Sequence, residues 1–369
     1  MTHHDTLQEL LADPRVGKDP RLWTTFREGR LPEGWPLLTF VTVPGMITAD
    51  GEDHRRLRGL VTQAFTPRRV AALQPAVEAR ATALLDRIAD LVGGSADGSG
   101  AGTEGGFDLR EHFAYPLPMH VIGELLGLPP KQQDELHELS DTLVSSSATP
   151  EAAVAAQRSL FALLASVVAA KRAEPGDDLT TALIAAREDD DRLSESELVG
   201  TLLLMLVAGH ETTLNLITNA VRALLAHPEQ LRLVLDGTVP WSAAVEETLR
   251  YDSPVGQFPL RYATEDIPVG DTVIRRGEAL LASYAAAGRD DAHFPDADRF
   301  DLTRQPSRHL SFGHGPHFCL GSGLARLEAE TALRLLFERF PALALADGPE
   351  PEPIGSFVSN SVRTLRVTV

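Results

Sequence analysis

The segment FGHGPHFCLG, Phe312 to Gly321, contains Cys319, the only cysteine of this 369-residue chain. Three glycines, two histidines and two phenylalanines surround the thiol. The helical pattern LGSGLARLEAETALRLLFERF follows at once, so Cys319 is predicted to lie at or just before a helix N-terminus. The partial positive charge and free N–H groups of a helix end favour a thiolate, which serves either as a nucleophile or as a metal ligand.

Three readings of this thiol come from the residues alone. A nucleophile needs a positioned base, and His314 or His317 is near enough in sequence to act as one. Structural zinc needs about four ligands, and the usual CxxC or HxxxH spacing is missing. A buried free cysteine that packs as a small hydrophobe leaves the frame of Gly, His and Phe unexplained. Gly313 and Gly315 instead suit a tight loop that a flat or bulky group approaches closely.

Composition excludes several functional classes. A formal charge of −18 argues against a nucleic-acid binder, because such proteins carry a basic surface. One cysteine allows no internal disulfide, and the N-terminal sequence MTHHDTLQELLADPRV has no signal-peptide pattern. The most apolar run, Leu198–Gly209, is shorter than the roughly 20 residues that cross a bilayer. We therefore expect a cytoplasmic protein that binds neither nucleic acid nor membrane.

Helical periodicity dominates the chain, and strand patterns are few and late. The pattern predicts one domain over residues 1–369, mainly α with a minor antiparallel β portion. Glycine-rich Gly93–Gly106 is predicted to be a loop without a functional role. Predicted helices are Val70–Val92, Glu151–Arg172, Ser194–Ala226, Trp241–Tyr251 and Leu320–Phe340, and predicted strand regions are Pro259–Ala285 and Ser356–Val369.

The longest predicted helix, Ser194–Ala226, is expected to cross the whole domain. Its first residues, SESE, form a capping box, and His227-Pro228 ends it. At 1.5 Å per residue it is roughly 50 Å long. Its apolar first half predicts a central core helix.

The Cys segment resembles the haem-binding signature of the cytochromes P450, Phe-x-x-Gly-x-x-x-Cys-x-Gly, through Phe312, Gly315, Cys319 and Gly321. The resemblance implies the P450 fold, in which haem b lies between a long central helix and the Cys loop with its helix. It also implies that Cys319 is the axial thiolate ligand of the haem iron. Phe312, Gly313 and Gly321 would then contact the cofactor.

The motif AGHETT, Ala208–Thr213, supports this resemblance from the central helix. Taken alone, Ala208 and Gly209 are a small-residue packing notch. Glu211, however, follows a long apolar run, and a carboxylate is costly to bury there. The Thr212 hydroxyl can bond the carbonyl of Ala208 four residues earlier. The family resemblance implies that Ala208 and Gly209 face haem, that Glu211 delivers protons and that Thr212 supports bound dioxygen.

A third motif, EETLR, is on its own no more than a pair of charges on one helix. The resemblance matches it to the family's Glu-x-x-Arg through Glu247 and Arg250. Arg299 is then expected to be their partner arginine. The implied role of the three residues is structural, since they hold the loop that presents the cysteine.

The two haem propionates need cations or hydrogen-bond donors. In HRRLR, His54 and Arg58 are four residues apart and share a helix face, and Arg55 and Arg56 are read as solvated. By resemblance, His54 and Arg58 bind propionates together with Arg261 and His317.

By the same resemblance the chain is a monooxygenase. It uses dioxygen, two electrons and two protons to insert one oxygen atom into a C–H bond. The electrons are expected from NAD(P)H through a ferredoxin or flavodoxin with its reductase, and Arg55, Arg56, Arg68 and Arg69 form a candidate docking cluster. A peroxide-driven peroxygenase, a non-catalytic haem sensor and a Cys319 hydrolase are the alternatives, and each leaves a motif unexplained.

Substrate is expected to be a sizeable hydrophobic molecule of macrolide, polyketide or steroid type, because the matching positions are mostly apolar. The positions are the loop Leu37–Met46 and residues Met205, Ala208, Val255, Phe258, Phe357 and Val358. The resemblance begins near Leu10. Family members have several tens of residues before that point, where this sequence has only MTHHDTLQE. Either the chain starts late or the sheet at the edge of the substrate channel is trimmed.

Overall fold

The computed structural model describes residues 1–32, 35, 38–42, 45–93, 106–144, 149–186, 192–305 and 308–369. Helices dominate the described residues, as the sequence predicts. The helices are α1 (His4–Ala12), α2 (Thr24–Arg27), α3 (Leu38–Thr42), α4 (Gly51–Ala64), α5 (Pro67–Ala72), α6 (Gln74–Gly93), α7 (Pro116–Leu125), α8 (Pro130–Val144), α9 (Pro150–Ala173), α10 (Leu179–Ala185), α11 (Glu195–Ala226), α12 (Pro228–Leu235), α13 (Trp241–Tyr251), α14 (Tyr284–Gly288) and α15 (Ser322–Arg339).

The predicted helices are present, with small differences at their ends. Val70–Val92 is the exception, because it is divided between α5 and α6. The capping box of α11 is confirmed: the Ser194 hydroxyl accepts the Glu197 N–H at 3.3 Å, and the Glu197 carboxylate accepts the Ser194 N–H at 2.8 Å. At the other end, His227 is the C-cap and Pro228 begins α12.

Helix α11 is the central core helix. Leu202, Leu206, Ile217 and Ala220 are fully buried, and α11 packs against α7, α9, α13 and α15. Helices α11, α13 and α15 also pack against one another. Each contributes residues to the wall of one cavity. Apolar stripes on several neighbouring helices therefore converge on this one element.

Among the described residues, two helical stretches are long and apolar enough to cross a bilayer by length and composition alone, Val154–Ala173 in α9 and the whole of α11. The window in α11 is longer than the apolar run Leu198–Gly209 that we considered from the sequence. More than half of it is buried inside the protein, as is usual for the core helix of a folded domain.

The strands are short and antiparallel. They are β1 (Val16–Gly17), β2 (Phe107–Asp108), β3 (Gln257–Ala263), β4 (Ile267–Val269), β5 (Thr272–Ile274), β6 (Ala279–Ser283), β7 (Ala344–Leu345) and β8 (Arg366–Thr368). They form a sheet of order β1-β3-β6, a sheet of order β2-β8-β7 and the hairpin β4-β5. The predicted C-terminal strand region contains only β8 and the isolated bridges Val255↔Ser359 and Pro353↔Val362.

The β1-β3 pairing is what brings the start of the chain to the cavity. Val16 pairs with Ala263 and Gly17 with Tyr262. Between Phe258 and Arg261 the register of β3 against β6 shifts. In a regular strand these two residues, three apart, face opposite sides, but the irregularity lets both line the cavity.

Candidate active site

The Cys loop runs from Phe312 to Gly321 and is held by backbone hydrogen bonds. The Cys319 N–H donates to the Phe312 carbonyl at 2.8 Å. Gly313 and Gly315 have φ near +71° and +73°, a conformation that glycine adopts readily. A Cβ on Gly315 would lie 2.6 Å from the Leu11 carbonyl of α1. The tight loop predicted from the glycines is thus present, and it rests directly on the first helix.

The Cys319 sulfur is surrounded by protein but exposed to the cavity. Burial raises the pKa of this thiol; the N–H groups of Gly321 and Ser322 and the cations Arg58 and Arg326 act against that effect. The helix-end donors favour the thiolate, as predicted, but burial outweighs them. A metal cation at the sulfur would keep it deprotonated.

Small residues of α11 form the wall opposite the Cys loop. Ala208, Gly209 and Thr212 line the cavity, and the Thr212 hydroxyl donates to the Ala208 carbonyl at 2.7 Å, as predicted. A Cβ on Gly209 would come within 3.2 Å of Ile122 Cδ1, so the glycine also lets α7 pack closely.

Glu211 is not among the residues that line the cavity. Its side chain is partly buried, and its Oε1 accepts a hydrogen bond from the Ser359 hydroxyl at 2.6 Å. The carboxylate is thus held by the C-terminal segment, next in sequence to the cavity-lining Thr212.

Four basic side chains that can donate hydrogen bonds to an anion line the cavity: His54 and Arg58 of α4, Arg261 of β3, and His317 of the Cys loop. The His54 and His317 rings lie 4.1 Å apart, and Arg58 donates to the Phe318 carbonyl at 2.8 Å. Burial, with help from His317 and Arg58, lowers the pKa of His54 to about 4. His54 Nε2 is buried without a hydrogen-bond partner among the described residues.

The rest of the cavity wall is mostly apolar, and it includes the predicted substrate positions Met205, Ala208, Val255 and Phe258. Of the loop Leu37–Met46, Met46 lines the cavity, whereas Leu37 lies outside the described residues. Apolar residues that the sequence analysis did not name complete the wall: Ile47, Phe65, Ile122, Leu125, Leu204, Leu216, Leu249, Pro254 and Leu324.

Phe357 and Val358 were also predicted to contact substrate, and the structure contradicts both. Phe357 is 46% exposed, and neither residue lines the cavity. The Val358 carbonyl accepts the Gly256 N–H at 2.9 Å. This bridge to the segment before β3 holds the C-terminal segment at the rim and leaves the Phe357 side chain outside.

Comparison with known proteins decides the family. The cytochrome P450 family model matches residues 241–365. Cytochrome P450 107B1 of Saccharopolyspora erythraea is 44% identical over 352 residues, which are 95% of this chain and 84% of the relative. The chain belongs to the cytochrome P450 family. It is accordingly a haem-thiolate monooxygenase, and the family implies haem and dioxygen.

Two further relatives are similar over nearly the whole P450. The 6-deoxyerythronolide B hydroxylase of S. erythraea is 40% identical and covers 94% of this chain and 83% of the relative. The testosterone-bound structure of CYP154C4 from Streptomyces sp. ATCC 11861 is 45% identical with a TM-score of 0.92, covering 100% of this chain and 88% of that one.

The cavity of this P450 fits haem. Cys319 would hold the iron through its sulfur, and the small residues Ala208 and Gly209 leave space at the wall formed by α11. The unpartnered His54 Nε2 points to an acceptor supplied from outside the chain, as a propionate would be.

The predicted framework pair of the P450 is present, but one partner was assigned wrongly. Glu247 and Arg250 form a buried ion pair at 2.7 Å. The guanidinium that approaches Glu247 belongs to Arg304, at 3.4 Å, and not to Arg299. The Arg299 side chain is 64% exposed and lies 3.7 Å from Asp301. Arg299 contributes only its carbonyl, which accepts from Arg250 at 2.9 Å.

A lysine and a glutamate at the cavity were missed by the sequence analysis. Lys18 is 4% exposed and Glu328 is 2% exposed, and both line the cavity. Burial raises the pKa of Glu328 well above its ordinary value. Helical spacing offered a signal for Glu328, because it lies four residues after the buried Leu324. Lys18 gave no local signal, since its amine contacts the carbonyl of Leu260, 242 residues away in sequence.

Proposed function

We propose that this P450 inserts one oxygen atom from dioxygen into a C–H bond of a sizeable hydrophobic molecule of macrolide, polyketide or steroid type. The observation that carries the proposal is the apolar wall between the Cys loop and α11, in which Met205, Val255 and Phe258 take part. Such a wall selects ligands by shape and buried apolar area. The relatives named as a macrolide-precursor hydroxylase and as testosterone-bound support both substrate types.

Haem b would be held by Cys319 and by the basic end of the cavity. His54, Arg58, Arg261 and His317 are the proposed propionate ligands. A neutral His54 can donate through Nε2, and Arg58 and Arg261 add charge-assisted bonds. Haem with a thiolate ligand supplies the activation of dioxygen and the oxidation of the C–H bond.

Proton supply is assigned to Thr212 and Glu211. The Thr212 hydroxyl donates its hydrogen to the Ala208 carbonyl. Its oxygen can therefore accept a hydrogen bond from a group in the cavity. Glu211, bonded to Ser359, would pass protons from the C-terminal segment toward Thr212. A peroxygenase or a non-catalytic haem sensor has no need of this pair, and both remain as the alternative functions.

Electrons would come from NAD(P)H through a ferredoxin or flavodoxin with its reductase. Of the four arginines in the candidate docking cluster, Arg56 is paired with Glu197 and Arg69 lies 3.6 Å from Asp177. Arg55, which lies 3.8 Å from Glu52, and Arg68 are exposed and are the better candidates for an acidic partner. A cytoplasmic location is part of the proposal, since one cysteine needs no oxidising compartment.

The difference spectrum of the reduced, carbon monoxide-bound protein tests the cofactor assignment. We expect a Soret band at about 450 nm for thiolate-ligated haem, and its loss in Cys319→Ser. A haem-loaded wild-type protein without that band would overturn the proposal.

Turnover with a steroid and a macrolactone panel tests the rest. Binding should shift the ferric spectrum, and electron-donor consumption should yield hydroxylated product. Thr212→Ala should uncouple consumption from product while binding is kept. Coupling equal to wild type would exclude the proton-supply role, and product formed only with added peroxide would favour the peroxygenase.

A further inference from the structure

The first helix and the turn that follows α14 meet at a pair of histidines, His4 and His293. Their ring centres lie 3.5 Å apart, and the ring planes are 18° from parallel. The Phe294 ring packs edge-on against both, with its centre 5.3 Å from that of His4 and 4.6 Å from that of His293. The His4 side chain is fully buried, whereas 27% of the His293 side chain is exposed. Packing therefore fixes one ring, and the other borders solvent.

The two rings share one carboxylate oxygen. Asp5 Oδ1 is 3.1 Å from His4 Nδ1 and 2.7 Å from His293 Nδ1. One donor atom from each of the three residues lies within 4.8 Å of the other two. The hydrogen bond from His4 lowers the pKa of Asp5, so its carboxyl group is ionised at neutral pH. Two imidazole nitrogens and a carboxylate are a donor set that proteins use to bind zinc.

Both ring nitrogens of His4 face acceptors. Nε2 lies 2.8 Å from the Arg308 carbonyl, and Nδ1 faces the Asp5 carboxylate. A neutral imidazole carries one N–H and can donate to only one of these two acceptors. A metal ion on Nδ1 satisfies the ring and Asp5 together, and Nε2 then donates to Arg308. Histidines that bind zinc usually donate their other ring N–H to a carbonyl or a carboxylate in this way.

The spacing of the donor atoms is close to what zinc requires. Two donors bound to one tetrahedral zinc ion at about 2.0–2.1 Å are roughly 3.3 Å from each other. The Nδ1···Oδ1 separations of 3.1 and 2.7 Å are slightly shorter, so zinc enters with a small outward movement of Asp5 and His293. Both side chains reach solvent and can make that movement, since Asp5 is 75% exposed.

A second carboxylate positions the backbone of this cluster. Asp290 Oδ2 accepts the backbone N–H of His4 at 2.8 Å and lies 3.5 Å from His3 Nδ1. The other oxygen, Oδ1, accepts the Ala292 N–H at 3.2 Å. Asp290 thus holds the start of α1 against the turn that carries His293, and the donor atoms are brought together by the fold itself.

We propose that His4, Asp5 and His293 form a binding site for one zinc ion, separate from the haem cavity. None of the three residues lines that cavity. The ion binds His4 Nδ1, His293 Nδ1 and an Asp5 oxygen, and water takes the fourth position. Asp5 and His293 are 288 residues apart, so the CxxC or HxxxH spacing of local zinc motifs does not occur here.

The site connects three segments that surround the Cys loop. His4 belongs to α1, on which Gly315 rests, and His293 belongs to the turn after α14. Arg308, which His4 contacts, lies in the segment that enters the Cys loop. Because zinc would bind only where these segments meet, it should stabilise the folded state against unfolding.

Calorimetric titration of the untagged, haem-loaded protein with zinc chloride tests the site. We expect one zinc ion per chain and an affinity at least tenfold lower in both His293→Gln and Asp5→Asn. His112→Gln is the matched control, because this histidine is also partly buried but lies outside the cluster, and its affinity should equal that of wild type. Circular dichroism checks that each variant is folded.

Two results of the titration would overturn the proposal. Wild-type protein that binds no zinc would mean that the cluster is only a hydrogen-bonded pair of histidines. Equal zinc affinity in wild type and His293→Gln would mean that zinc binds elsewhere on the chain.

X-ray absorption at the zinc edge of the one-to-one complex identifies the ligands. We expect nitrogen and oxygen donors at about 2.0–2.1 Å and no sulfur at about 2.3 Å. A zinc–sulfur distance would place the ion on Cys319 and would also overturn the proposal.

Discussion

Arg250 and Lys18 are both buried bases, but Arg250 is enclosed by the framework whereas Lys18 borders the cavity. All five N–H donors of Arg250 are used: two on Glu247 at 2.7 and 2.8 Å, and three on the carbonyls of Gly288, Ala297 and Arg299 at 2.7 to 2.9 Å. Lys18 borders the cavity and has a carbonyl and an aromatic ring near its amine.

This comparison distinguishes a buried base that holds the protein framework together from a buried base that faces a binding cavity. A buried charge that the chain neutralises and hydrogen-bonds by itself holds loops together and needs nothing from outside. A buried ionisable group at a cavity wall is instead placed where it can contact a bound ligand. Glu328 belongs to neither group, since it is a buried acid whose Oε2 has no partner among the described residues.

The largest loss of stability is expected from removing the Arg250 guanidinium, which is fully hydrogen-bonded within the protein. Arg250→Met leaves Glu247 charged and buried and leaves three carbonyls without their donor, so we expect a loss of about 3–5 kcal/mol in the free energy of unfolding. Urea denaturation followed by circular dichroism measures it, with exposed Arg232→Met of α12 as the control. Equal stability of the two variants would contradict the framework role.

A smaller loss of stability is expected from variants that test whether Arg304 or Arg299 is the partner of Glu247. Arg304 bonds Glu247 at 3.4 Å and the Pro295 carbonyl at 2.6 Å, so Arg304→Ala should cost roughly 1–3 kcal/mol. Arg299→Ala removes only an exposed pair and should change stability by less than about 0.5 kcal/mol. The two arginines are five residues apart and serve as each other's control. The reverse order of costs would restore the sequence-based assignment.

The smallest effect is expected at Glu328. Its raised pKa means that the folded protein keeps the carboxyl protonated where the unfolded chain ionises it, so stability declines as pH rises above the ordinary glutamate range of about 4.5. Glu328→Gln should remove that decline and add about 1 kcal/mol near pH 7.

Denaturant midpoints at several pH values check this, with Glu330→Gln on the same helix as the control. Parallel pH profiles for wild type and Glu328→Gln would mean that Glu328 is ionised in the fold.

Motifs that act through local geometry were predictable from the sequence. The capping box of α11, the Thr212–Ala208 bond and the glycine turns at Gly313 and Gly315 depend on residues within a few positions of each other. The family resemblance then supplied Glu247 and Arg250 in the right places. Helix ends and the order of the motifs needed no tertiary information.

Side chains set by distant contacts were not predictable in the same way. Which of two arginines reaches Glu247 depends on the turns between Asp296 and Arg304, including the positive φ of 52° at Asp296. Phe357 faces outward because its segment bridges to Gly256. The pKa of Cys319 was not predictable from the local sequence either, because the burial that raises it is a property of the whole fold.

The contact between the Cys loop and α1 determines when this part of the site can form during synthesis of the chain. Gly315 touches the Leu11 carbonyl, and Arg58 bonds the Phe318 carbonyl across 260 residues of sequence. Helices α1 and α4 therefore leave the ribosome long before the Cys loop that they contact has been made. A chain truncated before Cys319 would carry His54 and Arg58 without the sulfur.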